Sequence, residues 1–182
     1  MLVVAGFVVT VLLLLLHINP PAQAAKESIE PPGNVMVAIR WPDELDIDVD
    51  LWVQASGDRA TGYSNKGGTV INLLRDDRGH LRDVSNLNYE VSYSRGVPVG
   101  EYVVNLHLYA TPIEIPQPFA VDVVVSVKRL ERSSSRQVVA GKAMLRRKGK
   151  EITVFRLELD ENAELVQNSV LNVFMPLRAE KS

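Results

Sequence analysis

Tyr102-Val103-Val104-Asn105-Leu106-His107-Leu108-Tyr109 is the stretch that decides the fold. On an extended chain Tyr102, Val104, Leu106 and Leu108 share one side, and Asn105, His107 and Tyr109 the other, with Val103 the exception. A period of two with one apolar and one more polar face marks a strand that packs a single face on a core. The same signal recurs on either side of it. Candidate strands are Val35–Trp41, Val49–Gln54, Thr69–Leu73, Asn88–Ser94, Glu101–Tyr109, Ala120–Leu130, Arg136–Arg146 and Glu151–Leu159. Turn-forming clusters such as Ser56-Gly57-Asp58, Lys66-Gly67-Gly68 and Asp77-Arg78-Gly79 separate them. The run from Thr111 to Pro118 carries three prolines and reads as an extended crossover between sheets. Helical periodicity is lacking in the body of the chain; one helical turn is entertained only for Asp160 to Leu165. The fold class expected is all-β, a two-sheet antiparallel sandwich of immunoglobulin-like or jelly-roll topology.

The chain has 182 residues, 46% hydrophobic and 23% charged, with a formal net charge of -2. That length fits one domain and an appendage. It contains no cysteine, which excludes disulfides, thiolate metal sites and cysteine nucleophiles. A charge so near neutral lacks the basic footprint of a nucleic-acid binder, so no nucleic-acid partner is expected.

The apolar residues are unevenly spread. Leu2 to Leu16 carries no charge, and Asn19-Pro20-Pro21 ends the run sharply. Residues 1–18 would make a helix about 27 Å long, close to the hydrocarbon thickness of a bilayer. The segmentation expected is a transmembrane helix at 1–18 in contact with membrane lipid, a Pro-rich tether at 19–33 and an exported sandwich at 34–182. The alternative is a signal segment cleaved after Ala24, but no Lys or Arg precedes the run as such a segment requires. The anchor is preferred, which places the body in the periplasm of a bacterial inner-membrane protein. The bare flank of the helix also raises the expectation of a start codon further upstream.

Chemistry is most concentrated in Asp46-Ile47-Asp48-Val49-Asp50-Leu51-Trp52. In a strand the aspartates share one side and Ile47, Val49 and Leu51 the other. Carboxylates about 7 Å apart along one face repel unless a cation or basic group neutralises them. Hard oxygen donors of this kind suit Ca²⁺. Asp46, Asp48 and Asp50 are therefore candidate Ca²⁺ ligands, with Asp76, Asp77 and Glu90 able to approach the same end of a sandwich. The plainer reading, which takes precedence, leaves the aspartates in a solvated loop or satisfied by backbone amides and basic partners.

A catalytic set is hard to assemble. His80 reads as a surface-loop residue and His107 as a strand residue on a polar face, and no strained nucleophile turn is present. The stretch Lys128 to Lys150 carries nine basic residues against Glu131 alone, with Arg146 to Lys150 expected at a hairpin tip. Exposed cations there guard strand edges.

Two resemblances complete the reading. Trp41-Pro42-Asp43, Asp48-Val49-Asp50-Leu51-Trp52-Val53, Asn72 to Gly79, Asn88-Tyr89-Glu90 and Gly100 to Asn105 resemble the exported β-sandwich domains of the YfaP-like group, over roughly Val35 to Tyr109. The helix ending His17-Ile18-Asn19-Pro20-Pro21 ahead of such a domain resembles the single-pass ExbD, TolR and MotB partners of proton-channel subunits. That likeness implies a polytopic channel-type membrane partner of the MotA, TolQ or ExbB kind. The proton-carrying aspartate of that family has no counterpart between Met1 and Leu16, so its role is assigned to no residue. The leading expectation is an anchored envelope protein with a binding module and no catalytic residues, with a homo-oligomer left open. The alternative is a secreted hydrolase using Asp48 and Asp50 on an envelope glycan.

Overall fold

The computed structural model describes residues 33–78, 87–110, 118–129 and 134–178. Eight strands form in it: β1 (Val35–Arg40), β2 (Asp48–Ala55), β3 (Ile71–Arg75), β4 (Tyr89–Ser94), β5 (Gly100–Ala110), β6 (Phe119–Val127), β7 (Arg136–Leu145) and β8 (Glu151–Leu159). They pair antiparallel throughout, in a five-stranded sheet ordered β3-β4-β1-β6-β7 and a three-stranded sheet ordered β2-β5-β8. The described residues contain no helix, and none long and apolar enough to cross a membrane. The apolar segment 1–18 and the tether lie outside the described residues.

The core is the sum of the inward faces that alternation predicts. Val35, Val37 and Ile39 of β1 and Val121, Val123 and Val125 of β6 meet Val49, Leu51 and Val53 of β2 and Val104, Leu106 and Leu108 of β5 in one buried cluster. Trp41 closes one end, its indole N–H donating to the Ile47 carbonyl at 3.1 Å. At the start of β5 the chain turns through Gly100, whose φ of 113° a side chain would resist. Tyr102 is buried just beyond, and its hydroxyl donates back to the Pro98 carbonyl at 2.9 Å.

Two connections differ from expectation. Arg146 to Lys150 is not a hairpin tip, because β8 pairs with β5 in the small sheet while β7 pairs with β6 in the large one. The turn carries the chain between sheets and is tied to β5 by Gly149 N–H donating to the Leu108 carbonyl at 2.7 Å. Asp160 to Leu165 forms no helical turn. The Asp160 carboxylate accepts from the Asn162 and Glu164 amides, and a Leu159–Leu165 bridge folds the chain back along β8. The crossover reading of Thr111 to Pro118 agrees with the sheets that β5 and β6 occupy, although 111–117 lie outside the described residues.

Replacing Tyr102 with Phe leaves the Pro98 carbonyl without its donor. We expect a loss of about 1 kcal/mol in urea unfolding of the full chain, with an unchanged denaturant slope.

Candidate metal centre

In the small sheet β2 pairs only with β5, so its other edge is open. An open edge leaves main-chain amides unsatisfied. Along β2 they are met from outside the sheet: Val53 exchanges bonds with Thr61, and Leu51 N–H donates to Glu90 Oε2 at 2.7 Å. Glu90 comes from β4 of the facing sheet. Its Oε1 accepts from the Asp77 amide at 3.0 Å, so one side chain joins β2, β4 and the segment after β3.

Asp48 and Asp50 arrive at the same edge. One carboxylate oxygen from each of Asp48, Asp50 and Glu90 lies within 4.8 Å of the others. Glu90 is 1% exposed and Asp50 2%. His107, opposite Asp50 in the β2–β5 register, places Nδ1 2.8 Å from Asp50 Oδ2. Asp48 Oδ1 is buried with no hydrogen-bond partner. Asp76 and Asp77 sit close enough to act on the cluster by charge. Their own oxygens are engaged: Asp76 by Lys66 at 2.7 Å, Asp77 by Arg75 and by the Tyr89 amide, each at 3.1 Å. Of the six candidate ligands, then, Asp48, Asp50 and Glu90 are brought together. Asp76 and Asp77 form a surrounding layer, and Asp46, ahead of β2, is outside the group.

Burial dominates the electrostatics. It pushes Glu90 well above the ordinary carboxylate range, against the pull of the Leu51 and Asp77 amides. Burial also raises Asp50, opposed by the hydrogen bond and charge of His107. Asp48 is pushed up to about 7, first by burial and then by the charges of Asp50, Asp76 and Asp77. Burial and crowding raise all three carboxyls and so favour their protonated forms, and a hard divalent cation could take the place of those protons.

Three groups that matter here carried no recognisable signal in the sequence. His107 reads as a residue on a polar strand face, but its partner Asp50 is 57 residues away and only the β2–β5 register joins them. Asp58 reads as an ordinary turn aspartate, yet its carboxylate accepts from the amides of Arg59, Thr69, Val70 and Ile71. Burial opposes its charge, but those amides hold it below the usual range. Gly68 is needed beside it, since a Cβ there would stand 2.5 Å from an Asp58 oxygen. Glu151 reads as an ordinary strand-end residue, though its Oε1 accepts from the Asn105 side chain and the Leu177 amide. His80 lies outside the described residues.

No protein-family model, curated protein or solved structure matches the chain.

A raised carboxyl stabilises the fold fully below its unfolded pKa, and that contribution is lost as pH rises through the folded value. With chelator present, the thermal midpoint should therefore fall between about pH 4 and about pH 7 as Asp48 ionises, and Asp48→Asn should flatten the fall. If the cluster takes Ca²⁺, millimolar Ca²⁺ at about pH 8 raises the midpoint of the unaltered chain and leaves Asp48→Asn nearly unmoved.

Proposed function

We propose that the chain is an anchored bacterial envelope protein whose exported sandwich is a binding and interaction module, its β2 edge neutralised by a hard divalent cation such as Ca²⁺. The observation that carries the binding-module reading is the burial of Asp50 and Glu90, at 2% and 1% exposure, with His107 and two backbone amides on their oxygens. Carboxylates that protonate or attack a glycan must reach its glycosidic bond. These are turned into the protein, which favours the module over a hydrolase acting through Asp48 and Asp50.

Two features support an immunoglobulin-like arrangement over a jelly roll. The order β3-β4-β1 facing β2-β5 matches the D-E-B and C-F strands of that fold, and Tyr102 stands where its tyrosine corner belongs, bonded to a carbonyl four residues upstream. The likeness to YfaP-like domains fits an exported sandwich. The apolar segment before the tether, placed as the single helix of ExbD, TolR and MotB is though without its aspartate, supports anchoring beside a polytopic subunit of the MotA, TolQ or ExbB kind.

Fractionation tests the anchor. After an alkaline carbonate wash the full-length chain should stay with the membrane pellet. Release of a shortened protein beginning at Ala25 would contradict it and restore the cleaved-signal alternative.

A further inference from the structure

The sandwich has four outer strand edges, those of β3 and β7 in the large sheet and of β2 and β8 in the small one. An edge exposes main-chain donors and acceptors that another strand can take up. The chain covers three of the four from its own length. Against β3, Leu73 N–H donates to the Lys66 carbonyl at 2.9 Å and Gly68 N–H donates to the Ile71 carbonyl at 2.7 Å. Thr61 and Glu90 serve the edge of β2. Beyond β8 the chain doubles back. Val166 N–H donates to the Glu158 carbonyl and Leu171 exchanges two bonds with Arg156, after which a C-terminal arm lays Met175 and Leu177 against Trp52 and Val103.

The fourth edge is left bare. Among the described residues nothing pairs with the free side of β7. The strand runs ten residues against five in β3, and it holds no proline. From Val139 to Leu145 its register with β6 is unbroken. Alternate residues of such a strand turn both N–H and C=O to the free side. A long, regular, uncovered edge is what sheet proteins ordinarily avoid, and this one closes its other three.

Charge says what kind of strand fits. Arg40 of β1 stands opposite Asp122 of β6, and Asp122 stands opposite Lys142 of β7. All three are exposed, and Lys142 Nζ lies 2.9 Å from Asp122 Oδ1. A row of alternating sign thus crosses the sheet and stops on a cation at the bare edge. Opposite charges across neighbouring strands stabilise a sheet and like charges oppose it, so the next position in the row calls for a carboxylate. At the C-terminal end of β7 the turn adds Arg146, Arg147, Lys148 and Lys150, all exposed and with no carboxylate partner among the described residues. A second copy paired antiparallel through β7 would bring this turn beside Arg136 of its partner, cation against cation. The lysine that turns away such a strand admits an acidic one, which is how a charged edge selects its partner.

We propose that the free edge of β7 is a strand-addition site for an extended acidic segment of a partner protein, with a carboxylate opposite Lys142 and further acidic residues toward the Arg146–Lys150 turn. Main-chain bonds to β7 supply affinity and the charge row supplies choice. The site is separate from the carboxylate cluster at the β2 edge and does not depend on a cation there.

The test uses a blocked, fluorescein-labelled peptide of alternating Glu and Val, long enough to span β7, titrated with the full-length chain in neutral detergent. Anisotropy should saturate, and hydrogen exchange should slow at alternate amides from Val139 to Leu145 but not along β3. The same peptide N-methylated throughout keeps its charge but cannot form a ladder, and it should not bind. Lys142→Glu should weaken the Glu-Val peptide about ten-fold and admit a Lys-Val peptide that the unaltered chain rejects. Equal binding of the N-methylated peptide would mean charge attraction alone and overturn the proposal, as would β7 amides whose exchange no peptide slows. Free-side amides of β7 already protected without peptide would overturn it as well. Light scattering then identifies the occupant, a second copy at twice the chain mass or another segment of the same chain at one.

Discussion

The carboxylate of Glu90 is a point at which the two sheets of this protein are joined by something other than apolar contact. It leaves β4 in the large sheet, satisfies the Leu51 amide on the open edge of β2 in the small sheet, and takes the Asp77 amide that begins the exit from β3. An edge amide buried without a partner costs about 1 to 3 kcal/mol. Glu90 removes that penalty at the place where the small sheet has no neighbouring strand. Around it the segment after β3 is held by a second set of polar contacts. Arg75 donates to the Tyr89 and Leu87 carbonyls and stacks over the Tyr89 ring at 4.0 Å, while Asp77 accepts from the Tyr89 amide.

That solution brings its own cost. A carboxylate placed deep enough to cap a buried amide is poorly solvated, and Asp48 and Asp50 stand within 4.8 Å of it. Burial eases the conflict by raising Asp50 and Glu90 toward their protonated forms, while His107 hydrogen-bonds Asp50. A divalent cation would relieve it by a different means, drawing the three oxygens together where protons merely silence them. Both routes make the edge of β2 a place where ionic conditions act on the packing of the sandwich. The same sheet also carries the C-terminal arm on its outer face, where Arg178 is near enough to Asp50 to lower its proton affinity.

Much of this was legible in the sequence where it depends on local pattern. The alternation in Tyr102 to Tyr109, and its echoes along the chain, places all eight strands to within two or three residues at either end, because one buried face leaves little freedom in which residues point inward. Asp48 and Asp50 also stand among the candidate ligands on the strength of charge spacing, and Glu90 because the start of its strand can approach the same end of a sandwich. Sheet membership was not legible. Nothing between Arg146 and Lys150 distinguishes a hairpin from a crossing between sheets, since the choice rests on β8 finding β5, some 50 residues distant. Asp46 alternates correctly with Asp48 and Asp50, but it precedes β2 and so does not share the strand geometry that gathers the others. The roles of Asp58 and Glu151 lie in backbone amides that come from elsewhere in the chain, and an amide carries no sequence signature.

The central claim is that a side chain from the facing sheet closes the open edge of β2. Hydrogen exchange at the Leu51 amide measures it directly. Protection at the level of the core strands is expected in the unaltered chain, with selective loss of that protection in Glu90→Ala while the Leu106 amide of β5 keeps its own. A Leu51 amide that exchanges like an exposed edge in the unaltered chain, or one indifferent to Glu90→Ala, would contradict it.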